Sequence, residues 1–127
     1  MFRLRPQAEA ALTPEALAVC EAFLRGLSPS LVANVRSVVL FGAQARRFDA
    51  AANFDVLVLS EAGSRELKTS VGIATEAAER AATLASDQCG LQVTTVSRFD
   101  ESNASGALTR LLANAKREGV VLWSRES

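Results

Sequence analysis

Histidine is absent from this chain, and only two of its 127 residues are cysteine. Cys20 and Cys89 lie far apart in the sequence, whereas zinc sites are built from clusters of cysteine and histidine. The composition therefore argues against a zinc site. We expect both cysteines to be small buried residues, with a free thiol at Cys89 beside Gly90.

The chain also lacks net charge, because 14 basic and 14 acidic residues cancel. A neutral protein has no overall field that attracts nucleic acid or an anionic membrane, so we expect no dedicated nucleic-acid binder. No apolar run approaches the ~20 residues that span a bilayer, and the first six residues lack the apolar middle of a signal peptide. These absences predict a cytoplasmic protein with no membrane partner.

Hydrophobic residues make up 49% of the chain, enough for one core in one domain covering residues 1–127. Apolar runs alternate with segments of helical periodicity, which is typical of α/β domains. We predict a mixed β-sheet of about four strands flanked by helices. The predicted strands are Val35–Phe41, 54–59, 91–96 and 120–123, and the main helices are 13–27, 64–88 and 104–116. Residues 1–12 are expected to form a loose N-terminal arm.

Polar residues gather where the first predicted strand ends and the second begins. The first apolar run stops at Gly42, and Asn53 and Asp55 open the next one. Residues two apart in a strand project from the same face, so these two side chains are expected to point the same way. A glycine turn at a helix start presents N–H groups to phosphate, and paired carboxylates can hold magnesium against a triphosphate. The pattern predicts a polar site between two buried strands.

This order of motifs resembles the minimal nucleotidyltransferase family, small relatives of the catalytic core of DNA polymerase beta. The family pattern is a strand ending in Gly-Ser or Gly-Gly, an Arg-Ala-Arg-like segment, and Asp-x-Asp opening the next strand. A third Asp lies on a later strand. Leu40-Phe41-Gly42, Ala45-Arg46 and Phe54-Asp55-Val56-Leu57-Val58 are similar to the first motifs, and Arg117-Glu118-Gly119-Val120-Val121-Leu122 resembles a common ending. The resemblance covers most of the chain.

The resemblance implies a nucleotidyltransferase-like fold that uses Mg²⁺ with a nucleoside triphosphate. It assigns Asp55 and Asn53 to catalytic positions, with Asp55 as the metal ligand. Gly42, Ala43 and Arg46 fall at the nucleotide-binding positions. Two plainer interpretations also fit the residues: Asp55 forms an ion pair with Arg46, or the arginines are solvated surface charge.

Three positions depart from the family pattern. Ala43 replaces the Ser or Gly after the turn, Asn53 replaces the first Asp, and the third strand offers only Gln92 and Thr94 where the third Asp is expected. Neutral amide oxygens neither offset the charge of two magnesium ions nor act as a base. Phosphoryl transfer depends on such charge stabilisation, so this loss costs many orders of magnitude in rate. Natural degeneration of the site accounts for all three departures, whereas an engineered Asp-to-Asn substitution would account for Asn53 alone, and the sequence does not decide which origin Asn53 has.

The sequence therefore favours a pseudoenzyme that acts by binding a partner protein or a nucleotide, with no cofactor if the site is fully degenerate. The resemblance implies a separate small helical partner, as in toxin–antitoxin pairs, and a homo-oligomer is also left open. One alternative is an active enzyme that moves a nucleoside monophosphate to a protein or nucleic-acid hydroxyl, with Asp49 or Glu61 supplementing Asp55. The other is a scaffold or oligomerisation subunit of a larger complex.

Overall fold

In the computed structural model, which describes residues 1–125, a four-stranded sheet carries helices on both faces. The strands are β1 (Val35–Phe41), β2 (Phe54–Ser60), β3 (Leu91–Ser97) and β4 (Val120–Ser124). The helices are α1 (Pro6–Ala11), α2 (Pro14–Gly26), α3 (Ala43–Arg46), α4 (Arg65–Ala85), α5 (Arg98–Ser102) and α6 (Gly106–Glu118), with a 3-10 helix at Pro29–Ala33.

The sheet has the strand order β3-β2-β1-β4. Strand β1 runs antiparallel to β2 and β4, whereas β2 and β3 are parallel and joined through α4. The predicted α/β class and the mixed sheet of four strands are therefore confirmed. All four predicted strands lie in this one sheet. Their content of Val and other branched residues is typical of strands.

Two hydrophobic clusters sandwich the sheet. The larger cluster packs α2 and α4 against one face, which carries Val38, Leu40, Val56 and Val58. The smaller cluster lies on the other face, where α6 covers Val39, Leu57 and Val96. Strand alternation thus assigns the odd-numbered residues of β2, including Asp55, to the face under α6.

Side-chain caps fix where the two main helices begin. The Thr13 hydroxyl accepts a hydrogen bond from the Ala16 N–H, and the Ser64 hydroxyl accepts one from the Leu67 N–H. Such caps satisfy N–H groups that have no partner inside the helix. Where the chain leaves α2, Gly26 approaches α4 so closely that an added Cβ would lie 2.6 Å from the Ala74 Cα.

The first twelve residues are packed instead of forming the expected loose arm. Phe2 is 3% exposed, and its ring meets the Trp123 ring edge-on with centroids 4.6 Å apart. The Arg5 N–H donates to the Leu122 carbonyl at 2.9 Å, and α1 follows. Burial of apolar side chains fastens this segment along the outer side of β4. Strand β3 forms the opposite edge of the sheet.

Both cysteines are buried and free, as predicted. Burial, with a smaller contribution from the neighbouring Glu21 charge, raises the pKa of the Cys20 thiol to about 12. Within residues 1–125, no helix is both long enough and apolar enough to cross a membrane.

Candidate functional site at the Gly42 turn

The chain turns sharply at Gly42, between the end of β1 and the start of α3. Gly42 has φ 77° and ψ −157°, a backbone region that is essentially restricted to glycine. A Cβ atom built on Gly42 would lie 2.7 Å from Oδ2 of Asp55. Glycine is therefore required for the backbone conformation, and its lack of a side chain also leaves room for this carboxylate.

Asp55 lies at the centre of the candidate site. It is the second residue of β2, paired with Phe41 of β1 on one side and with Gln92 of β3 on the other. Its side chain is half-buried, and within residues 1–125 it has no hydrogen-bond or ion-pair partner. Burial raises the pKa of the Asp55 carboxyl above its usual value. A carboxylate left without compensation in this way is typical of functional sites.

Asn53 lies just before β2, two residues before Asp55. Its Oδ1 accepts a hydrogen bond from the Gly90 N–H at 3.1 Å, which ties the start of β2 to the loop that precedes β3. Gln92 is exposed beside Asp55, and Thr94 pairs with Leu57 one step further along the same face. The sheet brings these polar residues to the Gly42 end, but the Asn53 oxygen already has a donor.

Arg46 does not pair with Asp55. Its guanidinium contacts the Glu118 carboxylate at 3.0 Å, where α6 ends. Ala43 is half-exposed as the first residue of α3, and Arg47 is exposed without an ion pair in the described residues. The structure thus brings Ala43 to the turn and turns Arg46 toward α6.

Gln44 shapes this region, although no sequence motif indicated it. The side chain is fully buried; its Nε2 donates to the carbonyls of Asp49 (2.6 Å) and Ala52 (2.8 Å). Its Oε1 accepts from the Asp49 N–H at 3.0 Å. One amide therefore satisfies three backbone groups of the loop from α3 to β2. The only signal was a long polar side chain between two alanines.

Neither acid suggested as a supplement to Asp55 is placed to act as one. Glu61 follows directly after β2, six residues beyond Asp55 and about 20 Å away at the opposite end of the strand. There it binds Arg98 and Arg125, whose hydrogen bonds lower the Glu61 pKa to about 2. The Asp49 carboxylate turns back and accepts the Ala51 N–H at 2.9 Å. The expected route to a second carboxylate is therefore not formed.

The donor set does not fit a pair of magnesium ions. Mg²⁺ is held by carboxylates and other oxygen ligands in near-octahedral geometry. Across residues 1–125, no three side chains of His, Cys, Asp or Glu are placed to hold one metal ion. Asp55 supplies one carboxylate, Asn53 is engaged by Gly90, and Gln92 is neutral.

No protein-family model matches the chain, and a search of curated protein sequences returns no match. The resemblance to nucleotidyltransferases therefore rests on the motifs around Gly42 and Asp55 themselves.

Asp55→Asn is expected to raise the melting temperature at neutral pH. A carboxyl whose pKa is raised by folding favours its protonated form, so ionisation costs stability as pH rises above the unfolded value of about 3.9. We expect a higher melting temperature for the variant at pH 7, where the wild-type carboxyl is ionised. Thermal unfolding followed by circular dichroism checks this.

Asp87→Asn, at an exposed aspartate, is the matched control and should leave the melting temperature unchanged. The gain from Asp55→Asn should vanish near pH 3, where the wild-type carboxyl is mostly protonated in both the folded and the unfolded protein. An equal gain at both pH values would show that the effect comes from packing and not from ionisation.

Proposed function

We propose that this chain is a nucleotidyltransferase-like protein whose site at Gly42 does not catalyse transfer and instead binds a partner protein. The observation that supports this proposal is the Asp55 carboxylate. It is half-buried, lies against Gly42, and has neither a cation nor a hydrogen-bond donor within residues 1–125. An anion that folding leaves without a partner is available for one supplied by another molecule.

Catalysis through two metal ions finds little support in the residues at hand. Such chemistry requires anionic ligands that bridge the metals and stabilise the charge of the transferred phosphoryl group. The site contributes one carboxylate, since the Asn53 oxygen is occupied and Gln92 stands where a further acid is needed.

A cationic protein surface suits the site better than a nucleotide does. Asp55 occupies the space beside the turn that phosphate would approach, and Arg46 is neutralised by Glu118. Strand β4 begins beside Leu40, so α6, which leads into β4, ends at the Gly42 end of the sheet. The carboxyl end of a helix carries partial negative charge. Phosphate is repelled by these charges, whereas a Lys or Arg side chain from a partner is attracted.

Restoring the missing acids tests whether the site derives from a nucleotidyltransferase. We expect the wild-type chain to show neither Mg²⁺-dependent ATP turnover nor labelling of proteins by radiolabelled ATP. Asn53→Asp combined with Gln92→Asp should increase Mg²⁺-dependent ATP affinity by at least about tenfold, the size of effect that single groups around a metal commonly have. Isothermal titration calorimetry with ATP and Mg²⁺ measures the affinity.

Asn53→Asp combined with Val93→Asp is the matched control, because position 93 faces the other side of β3. It should give no gain. Turnover by the wild-type chain would overturn the pseudoenzyme proposal. A restored variant with no gain would show that this corner is not a former nucleotide site and would favour the scaffold alternative.

Binding through Asp55 is tested separately with a charge reversal. A protein that co-purifies with the tagged chain from its native host is identified and expressed with it, and the affinity of the purified pair is measured by calorimetry. Asp55→Lys should weaken the complex by at least about tenfold, as loss of a buried charge pair does. Glu79→Lys on the exposed side of α4 should leave the affinity unchanged. Absence of a complex, or equal affinity for both variants, would contradict the proposal.

A further inference from the structure

A cavity lies at the opposite end of the sheet from Gly42. It has a volume of about 450 Å³ and opens between α4 and the carboxyl ends of β2 and β3. Its walls include Ser60, Leu67, Lys68, Val71, Thr95 and Asp100. The volume falls within the range of small-molecule sites. We call this cavity the α4 pocket.

Strand topology makes this end of the sheet suited to ligands. Strands β2 and β3 are parallel, so the carboxyl ends of both lie at the same end of the sheet, where α4 begins. In α/β sheets, ligands generally bind just outside the carboxyl ends of parallel strands. The α4 pocket occupies that position, and Asp55 lies at the other end of β2.

Ser60 is the strongest indication that something binds in the α4 pocket. It is fully buried, and its Oγ is the one buried side-chain oxygen or nitrogen in residues 1–125 that lacks a hydrogen-bond partner. The Ser60 carbonyl, by contrast, accepts from the Arg36 Nε at 3.0 Å. Burying a hydroxyl without a partner costs stability, so a serine at this position calls for a partner from outside the chain.

The charges around the α4 pocket favour an anion on the side of α4. The 21-residue helix α4 begins at this wall, and its first turn carries partial positive charge. Lys68, in the next turn, is exposed and forms no ion pair with the described residues. On α5, Asp100 adds one negative charge, and its carboxylate accepts the Ser97 N–H at 3.0 Å. An anionic group is therefore best placed near Lys68 and away from Asp100.

The remaining walls are largely apolar. Leu67 is 1% exposed and Val71 is 9% exposed, and both lie on the face of α4 that meets the sheet. Apolar walls favour a ligand with a hydrocarbon body. Thr95 adds a hydroxyl from β3.

We propose that the α4 pocket binds a small carboxylic acid with a branched apolar body. The carboxylate lies near Lys68 and the start of α4, and a small displacement of the pocket wall on binding exposes the buried Ser60 hydroxyl, which donates a hydrogen bond to it. The hydrocarbon part lies against Leu67 and Val71.

Titration of ¹⁵N-labelled protein with 4-methylpentanoate, followed by amide chemical shifts, tests the proposal. We expect shifts at Ser60, Leu67 and Thr95 with a Kd of about 1 mM, the affinity open to so small a ligand. The matched probe 3-methylbutylamine has a similar body and the opposite charge, and should cause no shifts at these residues. Shifts of equal size with the amine, or none with the acid, would overturn the proposal.

Single substitutions test which side chains of the α4 pocket contact the ligand. Ser60→Ala should weaken binding by about tenfold, the usual effect of losing one hydrogen bond. Lys68→Gln should also weaken binding, whereas Asp100→Asn should strengthen it by removing the opposing charge. Ser37→Ala, whose hydroxyl donates to the Trp123 carbonyl elsewhere in the sheet, is the control and should leave Kd unchanged.

A stability measurement separates a ligand contact from a structural one. Because the Ser60 hydroxyl has no partner within the chain, Ser60→Ala should leave the melting temperature of the free protein unchanged or raised. A clear fall would mean that the hydroxyl is already bonded in the free protein, for instance to a buried water, and would contradict its role as a ligand donor.

Discussion

Gly26→Ala is expected to destabilise the protein by about 3 kcal/mol, which lowers the melting temperature by roughly 10 °C. The added methyl carbon would lie 2.6 Å from the Ala74 Cα and 3.2 Å from its nitrogen. Both are backbone atoms of α4, so no rotamer change relieves the overlap. The two helices must separate, and the core between them loses contacts. Urea denaturation followed by circular dichroism gives the free energy of unfolding.

Gly72→Ala is the matched control, since it makes the same exchange in α4 where a Cβ meets no atom within 4 Å. There alanine should stabilise the protein by about 0.5–1 kcal/mol, because it lowers the entropy of the unfolded chain. Adding Ala74→Gly to Gly26→Ala should recover little, since the closest atom is the Ala74 Cα. Full recovery would place the conflict at the Ala74 side chain instead.

Gly42→Ala is expected to cost about 2 kcal/mol, chiefly from backbone strain. The backbone at φ 77° and ψ −157° strains any other residue by about 1–3 kcal/mol. The new methyl would also press on Oδ2 of Asp55 at 2.7 Å. Chemical denaturation measures the total, and a double-mutant cycle with Asp55→Ala separates the two parts. Asp55→Ala removes the overlap but leaves the strain, so it should recover only a small part of the loss, because the carboxylate can also turn away from the methyl group.

Gly106→Ala calibrates the strain alone. Gly106 has φ +56°, and nothing lies within 4 Å of its position for a Cβ. Its substitution should cost about 1 kcal/mol. If Gly42→Ala costs no more than Gly106→Ala, the backbone at Gly42 is not strained as described.

The local pattern of apolar residues in the sequence was sufficient to predict the strands of the sheet. The strands were predicted to within a residue or so because Val, Leu and Thr repeat in runs bounded by Gly42, Asn53 and Gly90. Helix starts followed from Thr13-Pro14 and from the long periodic run after Ser64. The placement of Asp55 beside Gly42 also followed from strand alternation and strand order.

Contacts between distant segments were not readable in this way. The Asn53 oxygen meets Gly90 only because β2 and β3 are parallel neighbours, and Arg46 meets Glu118 only because α6 ends at the same edge. The packed N-terminal segment was missed for a related reason. A six-residue helix such as α1 is too short to show periodicity and is stabilised chiefly by what it packs against. The start of α5 was missed because its cap uses Asp100 where Glu or Gln is usual.

The packing of the first twelve residues along β4 has a consequence for stoichiometry. An exposed strand edge can recruit another chain, and a sheet with two exposed edges can add strands without limit. Here the Arg5–Leu122 hydrogen bond and α1 occupy the outer side of β4, which leaves β3 as the exposed edge of this sheet in residues 1–125. Any assembly by strand addition therefore ends once two copies pair through β3. The N-terminal segment sets that limit, so its detachment would permit open-ended growth into fibres.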